Sequence, residues 1–143
     1  MGGRASTCEQ EMTHKCKEEP SPNTITIASY NVDGIKSNHV YVHELIKKCQ
    51  IICIQEHWLH GFEKKLMDNL APTCKHVTKC YDDNTQEMLP HYMRGKAGVS
   101  ILWKKDLHQY ISPLDEGSER VVGITVSELR TTHTDNQYLS TSW

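Results

Sequence analysis

Two polar residues stand where apolar, strand-like runs stop. Asn31 follows Thr24-Ile-Thr-Ile-Ala-Ser-Tyr30, and Glu56 follows Ile51-Ile-Cys-Ile-Gln55. A carboxylate directly after a buried strand is held rigidly yet can face a cleft. That placement suits a hard cation such as Mg2+, which takes one or two carboxylates and keeps several waters. The carboxamide of Asn31 could position a ligand, a water or the neighbouring carboxylate. Each residue also has a plainer reading, a solvated loop glutamate and a strand-end or turn asparagine; spacing alone does not choose for Glu56, and for Asn31 it favours the plainer one.

Other chemistry-bearing groups are weaker candidates. His57 and His60, in Glu56-His-Trp-Leu-His60, are spaced like a zinc pair, but no second ligand pair follows at a suitable distance. The chain has nine histidines, so accidental neighbours are common. Asp82-Asp83-Asn84 reads as a solvated acidic turn. Six cysteines stand at positions 8, 16, 49, 53, 74 and 80, with no two-residue spacing of a zinc knuckle. Without a secretory signal they are expected to be reduced thiols, Cys49 and Cys53 acting as small hydrophobes. Gly2 and Ser6 fit the short myristoylation template. No glycine-rich phosphate loop, G-x-S-x-G elbow or H-E-x-x-H motif occurs.

The elements that must position these groups follow from periodicity. Thr24 to Val32 is rich in β-branched and aromatic residues and predicts a strand, broken by Asp33-Gly34. Ser37 or Asn38 offers a helix N-cap, and Val42, Leu45, Ile46 and Cys49 form one apolar stripe of a short helix. Lys47 and Lys48 suit its last turn. Ile51 to Ile54 is continuously apolar, as a strand covered on both faces is. Strand, helix, strand implies a parallel crossover that brings Asn31 and Gln55-Glu56 to the same carboxyl edge, where ligands of open α/β sheets bind. Phe62 to Leu70 predicts a helix with Phe62, Leu66 and Leu70 inward. Residues 97–103 and 121–126 predict strands, with weaker candidates at 75–81 and 108–112. From Glu128 onward the pattern dissolves into polar residues.

The first 22 residues hold little to bury and read as a disordered leader ending at Pro20-Ser21-Pro22. No apolar window reaches the length of a membrane helix, and no signal-peptide stretch occurs, so an intracellular chain, nuclear or cytoplasmic, is expected. A net charge of −2 with 24% charged residues excludes a strongly basic nucleic-acid-coating protein. It leaves a nuclease open, because a metal ion supplies positive charge locally.

Three blocks in order carry a family resemblance. Ile27-Ala-Ser-Tyr-Asn31-Val-Asp-Gly-Ile35, Ile51-Ile-Cys-Ile-Gln55-Glu56-His-Trp-Leu59 and Gly98-Val-Ser-Ile-Leu-Trp103 resemble the endonuclease/exonuclease/phosphatase superfamily. Glu119-Arg120-Val-Val-Gly-Ile124 is similar to its following strand. The Gln-Glu-x-Trp-Leu block is most similar to the endonuclease domain of non-LTR retrotransposon (endonuclease–reverse transcriptase) proteins, with His57 where that family commonly has Thr. The resemblance implies a four-layer α/β sandwich, two mixed sheets packed together with helices outside. It implies hydrolysis of phosphodiester or phosphomonoester bonds with a divalent metal, Mg2+ or Mn2+. Glu56 would be the metal-ligating carboxylate, and Asn31 would assist at the metal and the substrate phosphate. DNA would be the favoured partner, with RNA, inositol phosphates and sphingomyelin acted on elsewhere in the superfamily.

In the family, an Asp that orients the attacking water and a His that contacts the phosphate lie in Gly-Asp-x-Asn and Ser-Asp-His blocks. This chain contains no Asp-His dipeptide, and Asp82-Asp83-Asn84 lacks the preceding Gly and precedes the Gly-Val strand. The expectation is therefore an incomplete sandwich. Residues 23–128 would be the N-terminal part of such a domain, 129–143 an irregular tail, and half a site would give little or no activity. Such sandwiches commonly run to roughly 200–250 residues. The alternative is a non-catalytic binding or scaffold protein on the same half-fold, self-associating or completed by another chain through its exposed sheet edges.

Overall fold

The computed structural model describes residues 24–84, 95–127 and 137–142. The leader, including Gly2, Ser6, Cys8 and Cys16, lies outside these residues. Strand β1 (Ile27–Asn31) leads into helix α1 (Ile35–Lys48) and strand β2 (Ile51–Gln55). A 3-10 turn (Gly61–Glu63), helix α2 (Lys65–Leu70), β3 (Cys74–Lys79) and β4 (Val99–Lys104) follow. A second 3-10 segment (Lys105–Tyr110) precedes β5 (Ile111–Pro113), β6 (Val121–Val126) and β7 (Gln137–Ser142).

Two sheets result. The first is mixed, in the order β1-β2-β4-β3, and the second is antiparallel, β5-β6-β7. β1 and β2 pair in parallel, as the strand–helix–strand crossover predicts, while β4 runs antiparallel to β2. The alternation of β2 explains why its sequence is apolar without a break. Ile52 and Ile54 join the core under the helices with Val42, Ile46 and Met67. Ile51 and Cys53 join the core between the sheets with Ile101, Trp103, Val122 and Ile124. Every residue of β2 is buried. Each large apolar side chain so buried contributes roughly 1.5–3 kcal/mol. Helices, sheet and sheet are three of the four layers of the expected α/β sandwich, consistent with an incomplete one. Among the described residues, no helix is long and apolar enough to cross a membrane.

Several local expectations need correction. Helix α1 begins at Ile35, before the expected cap at Ser37 or Asn38. Gly34 and Ile35 donate their amides to the carbonyls of Glu56 and His57, which turns the chain straight into the helix. Asn38 instead marks a kink (φ −119°, ψ 23°), its side-chain amide donating to the Asp33 carbonyl. In α2 the buried residue is Met67; Phe62 and Leu66 are exposed, because a 3-10 turn precedes the helix and shifts its phase. Residues 137–142, expected to be irregular, form β7 on the edge of β6. A Thr- and Ser-rich strand needs only backbone pairing and β-formers, which a search for apolar alternation overlooks. The four described cysteines (49, 53, 74 and 80) are free and buried.

Candidate metal centre

The parallel register sets Asn31 opposite Gln55, so the chain leaves both strands at one edge of the first sheet. Pairing continues past the strand ends: Val32 N–H donates to Gln55 O (2.9 Å) and Gly34 N–H to Glu56 O (2.8 Å). On the other side His57 N–H donates to Gly98 O (3.3 Å) and Trp58 N–H to Ala97 O (3.0 Å). Three loops are thus stitched together. Within them lie all four non-glycine residues with positive φ among the described residues: Asp33 (50°), Glu56 (55°), Trp58 (57°) and Ala97 (51°). Such conformations cost on the order of 1–3 kcal/mol each and collect at functional sites.

Two close packings hold the strain. A Cβ at Gly34 would come within 2.6 Å of the Trp58 ring, and one at Gly98 within 2.3 Å of the His57 imidazole. Both glycines also have positive φ, so each position requires glycine for space and conformation alike.

Glu56 is half-buried here. Its Oε2 accepts a hydrogen bond from Trp58 Nε1 at 2.8 Å. Asn31 is exposed, and its Oδ1 accepts from the Asp33 amide at 3.2 Å, an Asx turn that orients the carboxamide. Gln55 between them is fully buried. Its Nε2 donates to Ser29 Oγ (2.9 Å) and Thr141 Oγ1 (2.8 Å), tying β1 and β7 to β2. Its Oε1 is buried with no partner among the described residues.

The histidines do not form a zinc pair. His57 is buried, its Nε2 bonded to Lys79 O (3.0 Å) and its Nδ1 accepting from Leu59 N–H (2.9 Å). That pattern assigns a neutral ring protonated at Nε2. Burial pushes its pKa down to about 4. His60 is also buried, with Nδ1 3.1 Å from the Tyr81 hydroxyl.

Cys80, Asp82 and Asp83 offer donor atoms within 4.8 Å of one another. Each of the four carboxylate oxygens already has a partner. Both Asp82 oxygens accept from Gly61 N–H (2.9 and 3.2 Å), Asp83 Oδ2 from Cys80 N–H (2.8 Å), and Asp83 Oδ1 pairs with Lys64 (2.7 Å). Burial pushes the Cys80 thiol of the metal-free chain up to about 12, so a cation binding there would have to displace its proton. The solvated turn expected at 82–84 is therefore a turn whose carboxylates anchor the 60–64 loop.

At the sheet edge Glu56 and Asn31 offer hard oxygen atoms, the donor type that Mg2+ takes. Glu56 Oε1 has no hydrogen bond or ion pair among the described residues. Sequence reasoning did not single out Trp58. No strand periodicity could have paired it with Glu56, because both residues leave the extended backbone for left-handed turns beyond the end of β2.

A family match described as the Endonuclease/Exonuclease/phosphatase family spans residues 28–137. No curated protein matches the chain significantly. Among solved structures, the AP endonuclease LMAP from Leishmania major aligns at TM-score 0.56 and 18% identity, over 83% of this chain and 40% of that one. An AP endonuclease from Archaeoglobus fulgidus aligns at TM-score 0.50 and 19% identity, over 72% of this chain and 37% of that one. At such identity the likeness is one of fold, and the chain spans about two-fifths of the length of those structures. With the three blocks in sequence order and the sandwich they build, the chain belongs to the endonuclease/exonuclease/phosphatase family.

Proposed function

We propose that this chain carries the Glu56–Asn31 half of a divalent-metal-dependent phosphodiesterase centre of the endonuclease type, with DNA as substrate and Mg2+ or Mn2+ as the metal. The observation that carries the reading is Glu56 itself. It is a carboxylate in left-handed backbone at the carboxyl edge of β2, with one oxygen held by Trp58 and the other left over. A divalent cation would polarise the phosphoryl oxygen and stabilise the leaving oxygen. In this reading Glu56 Oε1 holds the cation, and Asn31 presents its amide N–H to a phosphate oxygen. His57, buried and neutral, packs the loop and takes no part in proton transfer.

The DNA assignment draws on the Gln55-Glu56-His57-Trp58-Leu59 block, which resembles non-LTR retrotransposon endonucleases, and on a fold shared with AP endonucleases. The sequence holds no Asp-His block to orient the water or contact the phosphate. The proposal is accordingly that the chain binds metal and DNA phosphate with little or no cleavage of its own. With Mg2+, nicking of supercoiled plasmid by the purified chain should not exceed that by Glu56→Ala. Robust nicking that Glu56→Ala removes would overturn the inactivity. A chain that binds no Mn2+ would leave the scaffold reading in its place, with self-association detected by light scattering.

A further inference from the structure

We infer that Trp58 determines which cation the Glu56 centre takes. Its indole N–H, committed to Glu56 Oε2, leaves Oε1 as the better metal donor and so favours small octahedral cations over Ca2+. This rests on the metal-centre reading above.

The hydrogen bond, 2.8 Å long, joins two residues that both occupy left-handed backbone. The indole is itself held in place. Trp58 N–H donates to Ala97 O at 3.0 Å, Gly34 lies under the ring, and Gly95 lies against the Trp58 carbonyl so closely that a Cβ there would sit 1.8 Å from it. Glycine on both sides lets backbone approach where any side chain would push Trp58 away. The donor is therefore pre-aimed at Oε2.

The consequence for metal choice follows from coordination chemistry. Ca2+ takes six to eight oxygens and readily accepts a carboxylate edge-on through both oxygens. Mg2+, and Mn2+ as its spectroscopic stand-in, suits octahedral sites built with one carboxylate oxygen and several waters. A carboxylate oxygen that accepts a fixed N–H keeps a second lone pair but is a poorer metal donor and is held in one orientation. Edge-on binding through both oxygens is therefore disfavoured relative to binding through Oε1 alone. Groups that orient a ligand in this way typically change metal affinity 10- to 100-fold when removed.

The test measures Mn2+ binding by the loss of its free-ion EPR signal, with Ca2+ as competitor. It uses wild type, Trp58→Phe, and a chain carrying at position 58 the benzothienyl isostere of tryptophan, in which sulfur replaces the N–H. The isostere keeps the ring packing against Gly34 and guards against a variant that merely unfolds. Removal of the N–H should weaken Mn2+ binding about tenfold. It should also move the Ca2+-to-Mn2+ affinity ratio toward Ca2+ by about tenfold, a change that general loosening of the fold does not produce. An unchanged ratio in the isostere, with Mn2+ binding lost in Glu56→Gln, overturns the role of Trp58 and leaves the metal centre standing. Mn2+ binding that survives Glu56→Gln removes the centre itself, and the inference with it.

Discussion

The Glu56–Trp58 edge and the Cys80–Asp83 turn make opposite uses of the same side-chain chemistry. By count of ligand-type residues the turn is richer, with a thiol and two carboxylates within 4.8 Å of one another. Yet its carboxylates accept from Gly61 and Cys80 amides and from Lys64, and its thiol is held protonated by burial. The edge has one carboxylate and keeps an oxygen of it in reserve, at the cost of two left-handed residues. The two regions thus differ in which carboxylate oxygens the fold leaves without a partner. The turn uses its acids as loop anchors; the edge uses its backbone strain to present one.

The sharpest contrast lies in the glycines of the two regions. At Gly98 an alanine would carry its Cβ to 2.3 Å from the His57 ring in backbone of φ +95°, with the ring itself enclosed. Overpacking and the wrong φ together should cost about 3 kcal/mol or more. At Gly61, beside the acidic turn, the nearest atom to an added Cβ is an Asp83 carboxylate oxygen at 3.4 Å, and φ is ordinary. Gly61→Ala should shift stability by no more than about 0.5 kcal/mol. Urea denaturation of both variants decides the matter, and similar costs at the two positions would erase the distinction between a strained edge and a relaxed turn.

A pH effect of similar size belongs to the edge. Burial holds His57 at about 4, below its ordinary 6.5. Between those values the unfolded chain takes up a proton that the folded ring refuses. The contribution is therefore complete above pH 6.5 and drains away as pH falls toward 4. The loss amounts to roughly 3 kcal/mol. Denaturant midpoints of the metal-free chain in EDTA should fall across that window, and His57→Gln should flatten the fall. A slope that persists in His57→Gln assigns the acid sensitivity elsewhere.

Next in size is the exchange of acids between the regions. Asp82→Ala and Asp83→Ala each leave a backbone amide without its acceptor, Gly61 N–H or Cys80 N–H, which costs about 1–2 kcal/mol. Neither should alter Mn2+ affinity, while Glu56→Ala should abolish binding. Mn2+ binding that tracks Asp83 instead of Glu56 would move the centre to the turn.

These two regions also mark what the residues disclosed in advance. The apolar stripe of α1 and the unbroken Ile51–Ile54 run announced a helix and a doubly covered strand, because burial leaves a periodic signature. The parallel crossover then carried Asn31 and Glu56 to one edge. The left-handed turns at Glu56 and Trp58 leave no such mark, since neither residue is glycine or asparagine and tertiary pairing imposes the conformation. The partners of Asp82 and Asp83 were equally hidden: Gly61 lies 21 positions from Asp82, and a turn rich in acids looks solvated until its loop contacts exist. β7 escaped notice because its stability comes from backbone pairing to β6, which composition does not encode.

The smallest expected effect tests whether the anchors of the turn act through charge. Lys64 Nζ sits 2.7 Å from Asp83 Oδ1, with 37% of the lysine side chain and 22% of the aspartate side chain exposed. Solvent screening at that exposure holds such pairs below about 1 kcal/mol. The same carboxylate already accepts from the Cys80 amide, so it stays fixed without the lysine. Lys64→Gln should therefore lower stability by a few tenths of a kcal/mol to about 1 kcal/mol, and 1 M salt, with a screening length of about 3 Å, should remove most of the difference. The Asp83→Ala deficit should persist in the same salt, because an orphaned amide is not relieved by screening. If both deficits vanish together in salt, the turn is held by ion pairing, and its carboxylates are less committed than their hydrogen bonds imply.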